Sequence, residues 1–499
     1  MPDAPSHPPF AVRLGTEPLP PHDPLELYTR LGDRLGAEQV YLLESLTESG
    51  RQGGPAVLGC GPLAEIRLYG SYLEIDGITE LAPVLRATAE AAGLTPAADA
   101  PGRLEAPEPA RVWEFLRRAQ GLFGLEPGLP GDRFHFGFLA RFGYDAAWHM
   151  EDLPARALPP ARPDAVLTLF RDSVHYGTDG APVLRTADSP AFGEHGRHDL
   201  AGAAREAAGQ EPQAACPPAV RPQSVHDSVD RDTFHGWVRR CLEHIGVGDI
   251  YQIQVGHRID VRTALTPVEV YRRLRSRNPS PHMYLLPNGE GTLIGASPEL
   301  LFRIEDGRIV MRPIAGTTRR DQDEEENERR IKALLASTKE QAEHVMLVDL
   351  SRNDISRVCK PHTLTADDLM VVETFSHVFH LVSTVSAELE EDADVWRSLC
   401  ATFPAGTMTG APKLRAMEII HEIEREPRGA YAGAVGLIDV GGWSELALCI
   451  RTIAHDGAVY SVQSSAGIVA DSTPEGEWNE TLAKLGAAYW ALTGEELTA

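Results

Sequence analysis

Two acidic segments, far apart in the chain, most constrain what this protein can fold into. The first spans residues 339–354, where helical spacing places Glu340, Glu343 and His344 on one face. An apolar stripe that includes Val345 is predicted beside that face. A single glutamate in so acidic a chain is ordinarily a solvated surface residue, so the interpretation depends on the second segment.

The second acidic segment, residues 474–481, opens a helix that we predict to run to about Leu492. Glu477, Glu480 and Lys484 fall on one face of this helix. Two helices that each present an i, i+3 carboxylate pair favour a hard divalent cation between them. Mg²⁺ needs only one or two protein carboxylates when an anionic ligand supplies the rest. No His/Cys cluster with zinc spacing competes with this interpretation, so the sequence predicts an Mg²⁺ site.

The overall charge excludes two classes of partner. The 499-residue chain carries a formal net charge of -25, which disfavours binding to nucleic acid or to an anionic membrane. No apolar run reaches transmembrane length and no basic, apolar leader opens the sequence, so we expect a cytoplasmic protein. The six cysteines have no paired spacing, which is typical of reduced, buried thiols.

Domain organisation is predicted from length and composition. A chain of 499 residues exceeds one comfortable core. We predict a loose, Pro-rich arm over residues 1–22, an N-terminal lobe over 23–201, a linker or surface excursion over the Ala-, Gln- and Pro-rich residues 202–225, and a further region over 226–499. This last region reads as short strands with a few long helices laid over them.

Two further features, a loop and a lone arginine, are candidates for binding an anion. Residues 403–413 form a Gly-punctuated loop that feeds a helix, and the free N–H groups around Thr409 and the hydroxyl of Thr407 favour a carboxylate. An ordinary capped turn is an equal alternative for this motif alone. Arg451 follows a buried-looking strand, so it must meet an internal carboxylate or a ligand carboxylate. His380 lies in a β-like run, where a satisfied core histidine is the ordinary interpretation.

Seven motifs resemble, in order and spacing, those of the chorismate-utilising enzymes. They lie at residues 249–252, 296–300, 312–317, 339–354, 403–413, 431–436 and 466–472. The resemblance is strong over residues 231–488 and rests in the N-terminal half on residues 42–45 and little else. Within the family, the motifs are most similar to the component I group of anthranilate synthases.

The resemblance implies an α+β fold of two large packed beta sheets with helices on the outside, and an Mg²⁺-dependent reaction on chorismate. Residues 226–499 become the catalytic chorismate-binding region. By the same resemblance, Glu343 and Glu480 hold the metal, Glu299 is the acid for the leaving hydroxyl, and His380 assists the loss of pyruvate. Arg451 would bind the enolpyruvyl carboxylate. The implied substrate contacts are Gly316, Thr317, Thr407, Tyr431, Arg451, Ala466 and Gly467.

The reaction implied is the conversion of chorismate and ammonia to anthranilate and pyruvate, the first committed step of tryptophan biosynthesis. Related enzymes that add water carry a lysine near Gln252, and those that make aminodeoxychorismate often carry one at the position of Ala315. Neither lysine is present, so ammonia, which needs little activation, is the consistent nucleophile. The alternatives are an aminodeoxychorismate synthase, an isochorismate synthase, or an inert ligand-sensing homologue, which the intact site residues disfavour.

A partner subunit is expected because ammonia is scarce at neutral pH. We find no glutamine-hydrolysing domain and no cysteine in a nucleophile-elbow pattern. The resemblance therefore implies a separate glutamine amidotransferase subunit (component II), and we expect a hetero-oligomer.

Feedback inhibition by tryptophan is also implied, with departures from the family pattern. His282 and Leu437 stand where tyrosines are usual, and each lost aromatic wall could cost on the order of 1 kcal/mol of binding. We therefore expect tryptophan binding that is present but loosened. The residues at the predicted effector positions are Ser45, Pro281 and Met283, which match the family pattern, and His282, which departs from it.

In the carboxylate loop, Ser465 replaces a family glycine, which predicts a crowded or rearranged loop.

Overall fold

A computed structural model describes residues 8–46, 52–98, 100, 102–155, 162–177, 182–209, 216–289, 291–375, 378–424 and 426–498. The helices are α1 Pro24–Leu35, α2 Ala82–Ala91, α3 Pro109–Gln120, α4 Leu200–Ala208, α5 Arg231–Gly246, α6 Pro267–Arg277, α7 Glu324–Ala336, α8 Thr338–Ser356, α9 Val395–Thr402, α10 Gly406–Thr409, α11 Lys413–Ile423 and α12 Pro474–Thr493. Short 3₁₀ turns cover Ala37–Gln39, Tyr144–His149 and Pro361–Thr363.

The strands of the N-terminal half are β1 Phe10–Pro18, β2 Val40–Leu46, β3 Gln52–Leu68, β4 Tyr72–Gly77, β5 Thr95–Pro96, β6 Arg103–Glu105, β7 Phe123–Leu125, β8 Gly137–Phe142, β9 Ala165–Tyr176, β10 Pro182–Asp188 and β11 Ser224–Asp227. Those of the C-terminal half are β12 Gln252–Arg262, β13 His282–Asn288, β14 Gly291–Ser297, β15 Leu300–Glu305, β16 Arg308–Met311, β17 Ile314–Arg319, β18 Thr365–Thr374, β19 Val378–Glu388, β20 Gly410–Ala411, β21 Ala434–Asp439, β22 Ser444–Leu448, β23 Thr452–His455 and β24 Tyr460–Ile468.

The strands pair into one continuous, mainly antiparallel sheet system that joins both halves of the chain. The order is β11, β12, β24, β23, β14, β13, β2, β3, β9, β8, β21, β22, β15, β16 and β19, and β17 and β18 both pair with β19. Strands of the predicted N-terminal lobe thus pair directly with strands of the predicted catalytic region, at β2–β13 and β8–β21.

The two arms of this sheet system pack face to face. A buried cluster between them combines Tyr284 and Leu293 from β13 and β14 with Leu139 and Leu437 from β8 and β21. Helices α5, α11 and α12 cover the outer face of β12 and β24 through a second cluster that includes Trp478. The α+β fold of packed sheets with outer helices is therefore confirmed.

Some local predictions are wrong. The segment from Phe10 to Pro18, predicted as part of a loose arm, forms β1 between β7 and β10, with Phe10 and Val12 buried. Part of the predicted linker is helix α4, because alanine is the best helix former. Residues 1–7 and 210–215 of these two predictions lie outside the described residues. The other domain boundaries stay predictions.

The face of α8 that packs inward is also not the one predicted. Val345 is 46% exposed and Ala342 is exposed, whereas His344, Leu347 and Val348 are buried. The spacing was helical, but it did not show which side of the helix faces the core. Among the cysteines, Cys216 is exposed, contrary to the prediction. None of the helices in the described ranges combines the length and apolarity needed to cross a membrane.

Candidate active site

The inner face of β12 and β24 forms one wall of the site. Alternation along β12 turns Ile253 and Val255 toward the outer helices, so Gln252 and Gln254 point to the opposite, inner face. In the antiparallel pairing of β12 with β24, Gln254 lies opposite Gly467. Gly467 is half-buried and lacks a side chain, so its backbone is open to a ligand.

Glu299 lies between β14 and β15 and is the most perturbed acid of the site. Its Oε1 accepts a hydrogen bond of 3.0 Å from the hydroxyl of Thr407 in α10. Burial raises the pKa of Glu299 to about 7, although Thr407, Lys484 and Arg451 all act to lower it. A carboxyl group with this pKa is partly protonated near neutral pH and suits general-acid catalysis.

His380 on β19 has one nitrogen anchored and the other free. Its Nδ1 lies 3.2 Å from the carbonyl oxygen of Gly316, which only accepts, and 3.0 Å from the hydroxyl of Thr317. Nδ1 therefore carries the proton, and the buried Nε2, which has no hydrogen-bond partner among the described residues, presents a lone pair. Burial, and then the charge of Arg451, lower the pKa of His380 to about 4. The neutral ring can act as a base.

The backbone of Gly316 allows the strand carrying these contacts to turn. Its φ is +64°, and the pairing of β17 with β19 shifts register there. A Cβ at Gly316 would lie 3.1 Å from Leu381 Cδ1 and 3.2 Å from Glu340 Oε2. The positive φ favours glycine at this position, and an added Cβ would also require neighbouring side chains to shift by a few tenths of an ångström.

Arg451 follows β22 and faces the same region as Glu299 and His380. Burial lowers the pKa of its guanidinium, and Glu299 raises it. Within the described ranges, no carboxylate comes close enough to form an ion pair with Arg451. Of the two alternatives left by the sequence, the internal ion pair is therefore not observed, and a ligand carboxylate is the partner that this guanidinium can still take.

The two acidic helices converge as predicted. Burial, followed by repulsion from Glu340 and Glu480, raises the pKa of Glu343, so carboxylates of α8 and α12 sense each other. Burial also raises the pKa of Glu477 although a hydrogen bond from Ser472 lowers it, and its buried Oε2 has no hydrogen-bond partner among the described residues. Within the described ranges, no three His, Cys, Asp or Glu side chains gather closely enough to enclose a metal by themselves. The carboxylates of α8 and α12 give this place an excess of negative charge but few metal ligands. Such a place fits a cation that also takes oxygen ligands from substrate and water.

Lys484 is a site residue for which no role was predicted from the sequence. Its Nζ lies 2.7 Å from Glu480 and donates a 3.0 Å hydrogen bond to the carbonyl of Ser465. Although burial opposes it, Glu480 raises the pKa of Lys484, and this charge also acts on Glu299, Glu343 and Tyr431. The i, i+4 spacing from Glu480 could have identified it.

The structure thus brings together the predicted catalytic and substrate residues. Arg451 interacts electrostatically with both Glu299 and His380. The rest of the set lies on the surrounding elements: Gly316 and Thr317 in β17, Thr407 in α10, Tyr431 before β21, Ala466 and Gly467 in β24, Glu343 in α8 and Glu480 in α12. His344, by contrast, is fully buried with Nε2 2.6 Å from Ser383 Oγ, as a core histidine.

The predicted effector residues also lie near one another, and one of them, His282, pairs with Ser297, two residues before Glu299. Ser45 ends β2 beside Pro281, because Met283 pairs with Glu44 and the amide of Leu46 bonds Ser280. His282 lies 3.7 Å from Glu445, which is the cross-strand partner of Leu437. Burial lowers the pKa of His282, so a polar contact between a histidine and a glutamate stands where the family pattern has aromatic surface.

A buried ion pair fixes the helices around α10. Nζ of Lys413, the first residue of α11, lies 2.9 Å from Asp354 of α8 and 3.3 Å from the carbonyl of Thr402. Asp354 is 4% exposed, and burial raises its pKa while Lys413 lowers it. The pair holds α8 against α11 and so limits where Thr407 can lie.

Lys413→Met is expected to reduce the free energy of unfolding by about 3–5 kcal/mol, because it leaves the Asp354 carboxylate buried and unpaired. Urea denaturation followed by tryptophan fluorescence measures this loss. Lys360→Met removes the half-exposed pair with Glu388 and should cost less than about 1 kcal/mol. Equal losses in the two variants would contradict the assignment of Lys413.

Comparisons with known proteins agree with this geometry. The family model for chorismate binding enzymes matches residues 83–489. The chain is 45% identical over 477 residues to 2-amino-4-deoxychorismate synthase of Streptomyces globisporus, covering 95% of each protein. It is 43% identical over 392 residues to anthranilate synthase component 1 of Streptomyces coelicolor, covering 75% of each. A crystal structure of anthranilate synthase component I from Streptococcus pneumoniae superposes with a TM-score of 0.70 at 28% identity, covering 87% of this chain and 92% of that one.

The fold and the site define a chorismate-utilising enzyme, and the chain belongs to the family of chorismate binding enzymes. The resemblance to the component I group of anthranilate synthases is confirmed by several relatives, and a 2-amino-4-deoxychorismate synthase stands beside them at similar identity. Both kinds of relative are synthases of the same family.

Proposed function

We propose that this protein catalyses the Mg²⁺-dependent amination of chorismate by ammonia. The observation that carries the proposal is the buried acid Glu299, with a pKa raised to about 7, beside the guanidinium of Arg451, which has no ion pair among the described residues. A protonated carboxyl can donate to a poor leaving group, and a desolvated guanidinium can bind a carboxylate of a dianionic substrate.

The first step needs an acid but no strong base. The lone pair of ammonia forms the bond to ring carbon 2, the ring double bonds shift, and the hydroxyl on carbon 4 leaves as water with the proton of Glu299. The extra proton on nitrogen passes to solvent. Gln252, whose Oε1 is buried and unpaired among the described residues, can accept an N–H of the nucleophile but cannot deprotonate water.

Glu343 and Glu480 are the residues that would hold Mg²⁺. When bound, Mg²⁺ supplies positive charge that offsets a ring carboxylate. The chain's own contribution is to bring carboxylates from α8 and α12 together in a partly buried place, with Lys484 as the nearby countercharge.

Two products are compatible with this first step. For anthranilate, Nε2 of His380 takes the proton from carbon 2 while the bond from carbon 3 to the ether oxygen breaks. The side chain leaves as the enolate of pyruvate, which becomes pyruvate by taking a proton at its methylene carbon. This outcome is favoured because the ring of His380 is neutral and its Nε2 has no hydrogen-bond partner among the described residues. Retention of the enolpyruvyl group, giving 2-amino-4-deoxychorismate, is the second candidate. It is favoured by the 45% identical relative of that name, which aligns over 95% of both chains.

The test combines the purified chain with chorismate, MgCl₂ and an ammonium salt at raised pH. Anthranilate fluorescence with an equal amount of pyruvate supports the first product. A non-aromatic aminated product without pyruvate supports the second. Consumption of chorismate that does not depend on ammonium would overturn the proposal.

Use of glutamine is expected to need a separate amidotransferase. Burial raises the pKa of Cys60, Cys241, Cys400 and Cys449 to about 12, so none of these thiols is an activated nucleophile. The isolated chain should therefore turn over chorismate with ammonium but show no detectable rate with glutamine. Comparing the two nitrogen sources at equal concentration measures this. Equal rates would contradict the need for a partner.

Tryptophan is expected to bind weakly and to inhibit only at high concentration. Two aromatic walls of the family's pocket are missing, because His282, which contacts Glu445, and Leu437 stand in their places. Each lost wall should cost on the order of 1 kcal/mol of tryptophan binding free energy. His282→Tyr combined with Leu437→Tyr should tighten binding by about tenfold or more in a calorimetric titration. Absence of tryptophan binding at millimolar concentration in both forms would show that this is not a tryptophan site.

A further inference from the structure

Gln254 and Ser465 form a polar pair on the inner face of β12 and β24 that has no role in the steps above. Gln254 is 8% exposed and Ser465 is 1% exposed. A Cβ placed on Gly467 would lie 2.8 Å from Nε2 of Gln254 and 3.2 Å from Nε2 of Gln252. The amide of Gln254 therefore occupies the open side of Gly467, where the substrate carboxylate is expected.

The hydrogen bonds around Ser465 have a defined direction. Its hydroxyl donates to Oε1 of Gln254 at 3.0 Å, and a serine hydroxyl has only one proton to give. The hydroxyl of Tyr431, 2.6 Å away, must then donate to Ser465. The chain of donors runs from Tyr431 to Ser465 to Gln254.

This direction decides what the two ends can offer a ligand. Because Oε1 of Gln254 is occupied, its Nε2 hydrogens remain, and Nε2 makes no hydrogen bond among the described residues. The proton of Tyr431 is already used, so its oxygen is left as an acceptor. With glycine at position 465, Oε1 of Gln254 and the hydroxyl of Tyr431 would both lose this hydrogen-bond partner, and neither group would be held in one orientation.

We propose that Gln254 is a specificity-determining residue whose amide donates to the substrate carboxylate at Ala466 and Gly467, and that Ser465 is the positioning residue that orients it. Tyr431 then accepts from a hydroxyl or amino group of the ligand. This inference rests on the proposed function, since the ligand is taken to be chorismate.

The test uses steady-state kinetics with chorismate, MgCl₂ and ammonium. Gln254→Met keeps the shape of the side chain but removes the amide, and it should raise KM for chorismate about 10- to 100-fold with a smaller change in kcat, as for a hydrogen bond to a charged group. Ser465→Ala should raise KM about 3- to 10-fold. The double variant should be no worse than Gln254→Met alone, because Ser465 acts through Gln254.

Ser464→Ala is the matched control, since Ser464 lies on the same strand but pairs with His257 and points to the opposite face. It should leave KM unchanged. Gln254→Asn, which keeps an amide but withdraws it by one methylene, should raise KM like Gln254→Met and replaces that variant if it fails to fold.

An unchanged KM in a folded, active Gln254 variant would overturn the binding role. Additive effects in the double variant would overturn the positioning role. A wild-type chain that neither binds nor consumes chorismate would refute the proposed function itself, and this inference with it.

Discussion

Replacing Glu343 or Glu480 with glutamine is expected to lower kcat/KM for chorismate by about a thousandfold, which corresponds to roughly 4 kcal/mol of lost stabilisation. The two carboxylates belong to helices α8 and α12, and repulsion from Glu480 helps to raise the pKa of Glu343. Removing one charge relieves that repulsion but weakens the hold on Mg²⁺, so the Mg²⁺ concentration for half-maximal activity should rise as well. Rates measured across an MgCl₂ titration test both effects.

Glu422→Gln is the matched control. Glu422 lies on helix α11, is half exposed, and pairs with Arg240 at the surface. This variant should keep the activity and the Mg²⁺ dependence of the wild type. If Glu343→Gln and Glu480→Gln both did the same, the assignment of the acidic helices to Mg²⁺ would be wrong.

Glu299→Gln is expected to lower kcat by about 10²- to 10⁴-fold, because an amide cannot deliver a proton to the leaving hydroxyl. In the wild type, kcat/KM for chorismate, measured at a constant concentration of free ammonia, should fall as the pH rises through about 7, where the acid form of Glu299 is lost. The variant should lack that inflection. A pH–rate profile of both forms measures the difference.

Although Glu299→Gln should lose activity, it should be at least as stable as the wild type above neutral pH. The folded-state pKa of Glu299, about 7, lies above its ordinary value of 4.5, so the folded protein binds the proton more tightly than the unfolded chain. Wild-type stability is thus reduced as the pH rises from about 4.5 to 7, and the variant escapes this loss. At pH 8 the variant should melt no lower than the wild type.

A Glu299→Gln variant that kept full activity would contradict the role of Glu299 as the acid.

Thr407→Val is a useful second variant for this residue. The Thr407 hydroxyl donates to Glu299 and acts to lower its pKa. Removing the hydroxyl should move the inflection of the wild-type profile to higher pH. An inflection that stays in place would mean that another group titrates there.

Part of the site could be predicted from residue spacing, and the rest came from the family resemblance. The i, i+3 carboxylate pairs predicted a cation between two helices, and the resemblance singled out Glu343 and Glu480; the structure places the carboxylates of the two helices close enough to repel each other. Arg451 was identified from the cost of burying an unpaired cation, and the structure leaves it without an ion pair among the described residues.

What could not be predicted depends on contacts between distant segments. Helical spacing did not reveal that Val345 faces solvent while His344 reaches Ser383 on β19. The role of Gln254 becomes visible only when β12 pairs with β24 and puts its amide beside Gly467. β1 was missed because prolines surround it, although its Phe10 and Val12 alternate as a half-buried strand should.

The central claim, that ammonia adds to the ring of chorismate, is tested most directly by isotopic labelling. The purified chain would be incubated with chorismate, MgCl₂ and ¹⁵N-labelled ammonium in ¹⁸O-labelled water, and the products analysed by mass spectrometry. We predict a product that carries ¹⁵N on the ring and no ¹⁸O, formed only when Mg²⁺ and ammonium are both present. A product that carries ¹⁸O on the ring and no ¹⁵N, as in isochorismate, would contradict the account.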